Sequence, residues 1–137
     1  MIISTKGRYA LRVITDLAEH MSNNYIPLKE IAARQGISQK YLESIMSTLS
    51  KGGFVEGAHG KGGGYRLTKP PKDYILWDIL KCTEGTICTA PCLDEDAKDC
   101  ERADDCKTLP IWKELNDMIE KFFRGITIED LLNKTCK

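Results

Sequence analysis

The feature that most constrains the fold of this chain is a pair of short helical patterns separated by a single glycine-containing turn. Leu28, Ile31 and Ala32 recur at helical spacing, and Gly36 follows them as a C-terminal stop. Ser38 is then a good N-cap for a second helix. The inward positions of that second helix are Leu42, Ile45, Met46 and Leu49. Two helices of this length joined by a tight turn predict a helix-turn-helix motif.

The second helix of such a motif is the one that enters the major groove of DNA. Its outward-facing residues have polar side chains that suit base edges and phosphates. They are Ser38, Gln39, Lys40, Glu43 and Ser44. A carboxylate such as Glu43 accepts a hydrogen bond from cytosine N4 but repels phosphate, so it is either a specificity element or a solvent-facing helix residue. Double-stranded DNA is therefore the expected partner.

A glycine-rich segment after these helices predicts a β-hairpin wing. Short strand-like stretches at residues 54–55 and 65–67 flank it. Its glycines are Gly60, Gly62, Gly63 and Gly64. His59 and Lys61 are expected at the tip of the wing, where neighbouring glycines allow a close approach to DNA. The segment lacks the G-x-x-x-x-G-K-[ST] order of a nucleotide-binding loop, and no helix follows it directly.

The remaining patterns predict a mainly α-helical fold with this small wing. The apolar stripe of a first helix is Tyr9, Ala10, Val13, Ile14, Leu17, Ala18 and Met21. Pro70 and Pro71 mark the boundary between a DNA-binding region, residues 1–72, and a second region, residues 73–137. Three more helices are expected in the second region, and the last of them has Thr127 as its N-cap.

The longest pattern, in "TLPIWKELNDMIEKFFRG", has an apolar stripe that is wide for so small a region. Its members are Ile111, Trp112, Leu115, Met118, Ile119, Phe122 and Phe123. The stripe either packs on its own domain or pairs with the same helix of a second copy. We favour a homodimer built on this long helix, because a helix-turn-helix protein binds a palindromic operator through its own two-fold symmetry.

Charge is distributed unevenly along the chain, although the net charge is zero. Residues 1–80 carry a net charge of +4, and residues 81–137 carry −4. A basic first region favours a polyanionic partner, although ordinary surface patchiness also produces such an imbalance. No apolar run is long enough to span a bilayer and no basic-then-apolar leader opens the chain, so we expect a cytoplasmic protein without a membrane partner.

All six cysteines fall in the second half of the chain, at Cys82, Cys88, Cys92, Cys100, Cys106 and Cys136. Without a leader, clustered thiols favour metal binding or redox chemistry over a disulfide framework. The segment 88–106 contains four cysteines and seven acidic residues, and its gaps of three, seven and five residues do not form the paired C-x₂-C knuckles of zinc sites. We expect the acids to raise the thiol pKa values, which favours an occupied metal site over an intrinsically reactive thiol. Cys82 is expected to be a small core residue, and Cys136 a bystander in the tail.

Three stretches of the sequence carry a resemblance to a known family. They are "STKGRYAL", "PLKEIAARQGISQKYLESIMSTLSKGGFVEGAHGKGGGYRL" and "CKTLPIW". Together they resemble the Rrf-type family of winged-helix transcription regulators, and within it the IscR group of iron–sulfur regulators. The resemblance implies a homodimeric repressor of iron–sulfur biogenesis genes, with the helix around Trp112 at the dimer interface. It implies a [2Fe–2S] cluster, whose ligands match Cys92, Cys100 and Cys106. The DNA contacts that it implies are at Ser38, Tyr41, Glu43 and Ser44, with phosphate contacts near Lys6 and Tyr9 and with His59 in place of a wing-tip arginine.

The fourth cluster ligand departs from the family pattern. The histidine that the resemblance places three residues after the last cysteine is Leu109 here, and the first-helix acid of nitric-oxide-sensing relatives is Arg8. Neither side chain can ligate iron. Cys88 is the nearest spare thiol, and Asp105 or another loop acid is the alternative. The seven-residue gap in the cysteine segment is five residues in the better-known pattern.

Two other functions stay open at this point. A nitric-oxide or redox sensor with a [4Fe–4S] cluster fits the family, although Arg8 counts against it. A small iron–sulfur electron carrier fits the cysteines, but it leaves the helix-turn-helix and the wing unexplained. The only histidines, His20 and His59, lie at a helix end and a loop tip, and no nucleophile is paired with a base, so we do not expect an enzyme.

Overall fold

The computed structural model describes residues 3–133 of the chain. It confirms a mainly helical fold with a two-stranded antiparallel wing. The elements, in chain order, are α1 Thr5–Glu19, α2 Leu28–Gln35, α3 Gln39–Lys51, β1 Val55–Ala58, β2 Gly64–Leu67, α4 Leu76–Glu84, α5 Leu109–Arg124 and α6 Ile128–Leu132. Short 3₁₀ turns cover Pro71–Asp73 and Pro91–Leu93. Among the described helices, none combines the length and the apolar character that a membrane crossing requires.

The helix ends follow local capping chemistry. The Ser38 hydroxyl accepts a hydrogen bond from the backbone N–H of Tyr41, so Ser38 is the N-cap of α3 as the sequence predicted. Thr127 caps α6 in the same way, and the Asp130 carboxylate accepts from the Thr127 backbone to complete a capping box. Gly36 ends α2 with a φ of 64°, a left-handed conformation that glycine adopts without steric cost. The predicted helix-turn-helix is therefore present.

The main hydrophobic core lies where α1 meets α2, α3 and α4. Fully buried side chains of this core include Val13, Ile14, Ile31, Leu42, Ile45, Leu49, Tyr74, Ile79 and Ile128. Both regions of the chain contribute to it, and the division at residue 72 stays a prediction. One expectation about α1 was wrong: Met21 is 50% exposed, because the helix ends at Glu19 and the inward stripe ends with it.

The wing is tied to the loop between α1 and α2. Val55 pairs with Leu67 and Ala58 pairs with Gly64 in the antiparallel hairpin. On the other edge of β2, Ile26 and Tyr65 exchange two backbone hydrogen bonds of 2.8 Å. A side chain at Gly64 would collide with the Ile26 carbonyl, and its φ of 144° also favours glycine. Gly64 is therefore required for this close approach.

Helix α5 has two apolar faces with different surroundings. On one face, Ile119 and Phe123 pack against a small second core formed by Trp77, Leu80 and Ile87. The other face holds the exposed side chains of Ile111, Trp112, Leu115, Met118 and Phe122. The spacing of Ile111, Leu115, Met118 and Phe122 is four, three and four residues, which is the seam spacing of paired helices.

Candidate nucleic-acid interface and cysteine loop

Helix α3 presents its predicted contact residues on one open face. Leu42, Ile45, Met46 and Leu49 are buried, so the remaining positions of the first two turns point away from the core. The exposed residues on this face are Ser38, Gln39, Lys40, Tyr41, Glu43 and Ser44. Their hydroxyl, amide, ammonium and carboxylate groups match the donors and acceptors of base edges and phosphates.

The N-terminal half of α1 lies beside this face. The rings of Tyr9 on α1 and Tyr41 on α3 are in edge-to-face contact, with centroids 5.9 Å apart and planes at 77°. Both Lys6 and Tyr9 are partly exposed. The structure therefore brings the predicted phosphate-contact residue Tyr9 against the first turn of the predicted recognition helix.

An open groove runs between the wing and helices α2 and α3, and the wing tip lines one side of it. His59 and Lys61 are exposed in the loop between β1 and β2, as expected. The groove has a volume of about 400 Å³, and its lining includes Leu28, Ser50, His59 and Tyr65. On the wing side, the lining also includes Gly57, Gly60, Gly63 and Gly64, which contribute backbone and no side chain.

A buried carboxylate anchors α2 to α1, and sequence reasoning missed it. Asp16 is 1% exposed, and the Arg34 guanidinium donates to it from Nε at 3.0 Å and from Nη2 at 2.7 Å. Gln35 Nε2 donates to the same carboxylate at 2.8 Å. Burial alone would raise the pKa of Asp16, but these hydrogen bonds and the charge of Arg34 outweigh it and lower that pKa. One feature of the sequence could have indicated this buried carboxylate, because Asp16 is an acid that lies between the inward positions Ile14 and Leu17.

The cysteine loop, residues 85–108, connects α4 to α5 and has little regular structure beyond one 3₁₀ turn. Lys81 on α4 donates to Glu95 in the loop at 2.8 Å. At the start of the loop, the Thr89 N–H donates to the Asn116 side chain and the Thr89 hydroxyl donates to the Trp112 carbonyl, both at 3.0 Å. The loop therefore lies against α4 and α5.

The loop holds the three predicted cluster thiols and the possible fourth, Cys88, in different surroundings. Cys92 and Cys100 are exposed and line one open cavity of about 580 Å³, beside Leu109 of α5. Cys106 is partly buried just before α5, and Cys88 is partly buried near the start of the loop. Each cysteine in residues 3–133 is a free thiol. Within the same residues, no three Cys, His, Asp or Glu side chains are grouped to hold a metal ion. Cys136 lies outside the described residues.

The thiol of Cys106 corrects the expectation that the loop acids raise every thiol pKa. Its Sγ lies 3.4 Å from the Thr108 hydroxyl. Hydrogen bonds from that hydroxyl and from the backbone N–H groups of Thr108 and Leu109, at the start of α5, lower the pKa of Cys106. Burial instead raises the pKa of Cys82, whose Sγ lies 3.6 Å from the Thr48 carbonyl of α3. Cys82 packs against the main core, as predicted.

Comparison with known proteins places this geometry among regulators. The family model Rrf2, described as an iron-dependent transcriptional regulator, matches residues 3–134. The HTH-type transcriptional regulator IscR of Photorhabdus laumondii is 35% identical over 133 residues, which cover 97% of this chain and 80% of that protein.

Solved structures give the same result. IscR of T. potens superposes with a TM-score of 0.75 at 32% identity, covering 99% of this chain and 89% of that one. CymR, the global cysteine regulator of B. subtilis, superposes with a TM-score of 0.78 at 32% identity and covers 99% of both chains. The winged-helix fold predicted from the sequence is confirmed by these likenesses, and the relatives are transcriptional regulators, not enzymes.

Proposed function

Since the chain belongs to the Rrf2 family of iron-dependent transcriptional regulators, we propose that it is a homodimeric regulator whose choice of DNA depends on a bound iron–sulfur cluster. That it is a DNA-binding transcription regulator follows from the family. The dimer, the cluster, its [2Fe–2S] type, the palindromic operator and the cytoplasmic location are the parts proposed here. The single observation that carries the proposal is the cysteine loop, which bears four free thiols directly before α5 in the same chain as a complete winged helix-turn-helix.

The DNA-binding half of the proposal assigns one role to each element. The exposed face of α3 would enter the major groove, where Ser38, Gln39, Tyr41, Glu43 and Ser44 reach base edges or nearby phosphates. On α1, Lys6 and Tyr9 would contact phosphates. The wing tip, with His59 and Lys61, would reach the neighbouring minor groove.

The dimer half rests on the exposed stripe of α5. Met118 is 62% exposed, and Ile111 and Phe122 are each 58% exposed. A run of large apolar side chains along one helix face costs free energy in water unless a partner covers it. A second copy of the same helix supplies a complementary stripe, and the resulting two-fold symmetry matches a palindromic operator.

The donor set fits an iron–sulfur cluster. Thiolates are the preferred ligands of iron–sulfur clusters, and Cys92 and Cys100 already share one cavity. The lowered pKa of Cys106 favours the thiolate form that a metal requires. When bound, a cluster would supply a redox- and iron-dependent link between these thiolates. Cys88 is the proposed fourth ligand, because Leu109 offers no donor atom.

Helix α4 gives the loop a physical connection to the DNA-binding helix α1. Lys81 binds Glu95 of the loop, and one turn later Glu84 accepts hydrogen bonds from the backbone and the hydroxyl of Ser4, at 3.1 and 2.5 Å. Ser4 is the N-cap of α1. A rearrangement of the loop would therefore act through α4 on the end of α1 that carries Lys6 and Tyr9.

The cluster is tested by anaerobic reconstitution of the full-length protein with iron and sulfide. We expect visible charge-transfer absorbance and bound iron and sulfide in the wild type, and their loss when Cys92, Cys100 or Cys106 is changed to serine. Cys82→Ser is the matched control, because that thiol packs on the core and not in the loop. A wild-type protein that stays colourless would contradict the proposal.

The regulatory part is tested by footprinting holo and apo protein side by side at one stated salt concentration, because phosphate contacts make DNA affinity strongly salt-dependent. We expect protection of different sites, or of fewer sites, in the apo protein. Identical footprints would show that DNA choice does not depend on the cluster. Nitrosylation and redox titrations of the holo protein distinguish a [4Fe–4S] sensor from the proposed [2Fe–2S] regulator.

A further inference from the structure

Arg12 lies on the outer surface of α1, and its guanidinium joins three groups. Nη2 donates to the backbone carbonyl of Gln35, and Nε donates to Gln35 Oε1 at 3.1 Å. The guanidinium carbon also lies 5.0 Å from the centre of the Tyr9 ring, in a cation–π contact. One side chain therefore connects α1 with the end of α2.

The contact with Gln35 caps α2 directly before the turn of the helix-turn-helix. Gln35 is the last residue of α2, and the last carbonyls of a helix have no partner within it. A positive charge at this end also interacts favourably with the helix dipole. Gly36 and Ile37 then lead to Ser38 and α3. Arg12 is thus bonded to the last residue of α2, three residues before the N-cap of the recognition helix.

The orientation of Gln35 is set from the other side by the buried Asp16. The amide nitrogen of Gln35 donates to the Asp16 carboxylate at 2.8 Å, so its amide oxygen faces Arg12. Asp16 itself is held by Arg34. Arg12 is therefore the exposed end of a hydrogen-bonded chain that begins at a buried charge.

From Arg12 the contacts continue to the recognition helix. The Tyr9 ring that Arg12 covers is in edge-to-face contact with Tyr41. The backbone N–H of Tyr41 donates to Ser38, the N-cap of α3. Five side chains, ordered Asp16, Gln35, Arg12, Tyr9 and Tyr41, therefore form one continuous path from the core to the proposed DNA surface.

We propose that Arg12 is a positioning residue for sequence recognition, which sets the orientation of Tyr9 and Tyr41 and the approach of α3 without contacting bases itself. This inference rests on the proposed DNA surface. This positioning role requires a planar guanidinium, which can donate to both Gln35 oxygens while it lies over the Tyr9 ring. A lysine keeps the charge but lacks that geometry.

The test compares Arg12→Lys with the wild type as full-length reconstituted protein. A preferred operator is first selected from randomised duplexes with the wild type, and Kd is then measured for that operator and for an unrelated duplex of equal length. We expect the specificity ratio, which is the Kd for the unrelated duplex divided by the Kd for the operator, to fall by about tenfold or more. That factor is the discrimination that one well-placed base contact contributes. The affinity for the unrelated duplex and its salt dependence should stay unchanged, because the charge is kept.

Arg8→Lys is the matched control, since Arg8 lies one turn earlier on α1 and its guanidinium donates to Thr5 of the same helix, not to α2 or α3. It should leave the ratio unchanged. A double-mutant cycle between Arg12→Lys and Tyr41→Leu should show that the two effects are coupled. A general loss of folded protein scales both affinities equally, so it does not alter the ratio.

Three results would overturn the inference. The first is an unchanged ratio in Arg12→Lys, and the second is strict additivity with Tyr41→Leu. The third is a smaller salt dependence in Arg12→Lys, which indicates a direct phosphate contact instead. If the wild type itself shows no preferred operator, the proposed function fails, and this inference fails with it.

Discussion

At the scale of single residues, Asp16 is the one charged side chain that is buried among residues 3–133. It is almost completely buried and receives hydrogen bonds from Arg34 and Gln35, both near the end of α2. A buried carboxylate without such partners would be strongly destabilising. Because both partners come from α2, the pairing also fixes how α2 lies across α1.

Replacing Asp16 with asparagine should lower the free energy of unfolding by about 2–3 kcal/mol at pH 7, because Arg34 loses a charged acceptor. The folded-state pKa of Asp16 lies below its ordinary value of 3.8. Its stabilisation is therefore complete above that value and is lost as the pH falls through the folded-state pKa. The difference between wild type and variant should narrow below pH 4.

Urea unfolding from pH 7 to pH 3 measures this difference. Asp73→Asn is the matched control, since Asp73 is exposed in the 3₁₀ turn before α4. If the difference in free energy of unfolding between the wild type and Asp16→Asn stays constant from pH 7 to pH 3, the ion pair is not its source.

At the scale of elements, the features that could be predicted from the sequence are those that depend on neighbouring residues. The caps Ser38 and Thr127 could be identified because each acts on a backbone N–H only three residues away. The Asp16–Arg34 pair joins positions 18 residues apart, and the Ile26–Tyr65 bridge joins positions still further apart. No local pattern encodes such partners.

The cysteine loop shows a different limit, because the hydrogen-bond partners of Cys106 are only two and three residues away and still could not be inferred from the charges of the loop. Its thiols could be counted in the sequence, and the acids around them predicted raised thiol pKa values. For Cys106 the direction is reversed by a hydrogen bond from the Thr108 hydroxyl and by the N–H groups at the start of α5. Hydrogen-bond geometry at a helix start decides this pKa, and the composition of the loop does not.

The wing offers an element-scale prediction through Gly64. A Gly64→Ala change places a methyl group against the Ile26 carbonyl, so we expect the Ile26–Tyr65 bridge to break and stability to fall by more than about 2 kcal/mol. Gly60→Ala is the matched control, because Gly60 also has a positive φ but no atom lies near its added methyl group. That control should cost only about 1 kcal/mol of backbone strain.

Thermal unfolding measures both stabilities, and hydrogen exchange at the amides of Ile26 and Tyr65 reports on the bridge itself. If the two variants lose the same amount of stability, then backbone conformation, and not the close approach to Ile26, is the reason that position 64 requires glycine.

At the scale of the whole molecule, the distribution of apolar surface determines what the chain can assemble with. The main core is completed within the chain by α4 and α6, whose side chains pack against α1. Helix α5 completes the small second core with one face and leaves the other exposed. The exposed stripe and the proposed DNA-contact surface are on different elements, so two copies joined through α5 would each keep a free α3.

Met118→Glu tests this arrangement, because Met118 is the most exposed apolar residue of the stripe. We expect the variant to elute as a monomer in light-scattering chromatography, since a buried unpaired carboxylate at the seam is costly. Operator affinity should fall by about 100-fold, because the second half-site no longer binds as part of the same molecule. Lys113→Glu introduces the same side chain on the same helix, but this exposed position faces away from the stripe, so the variant should remain a dimer. A dimeric Met118→Glu variant with full operator affinity would place the dimer interface elsewhere.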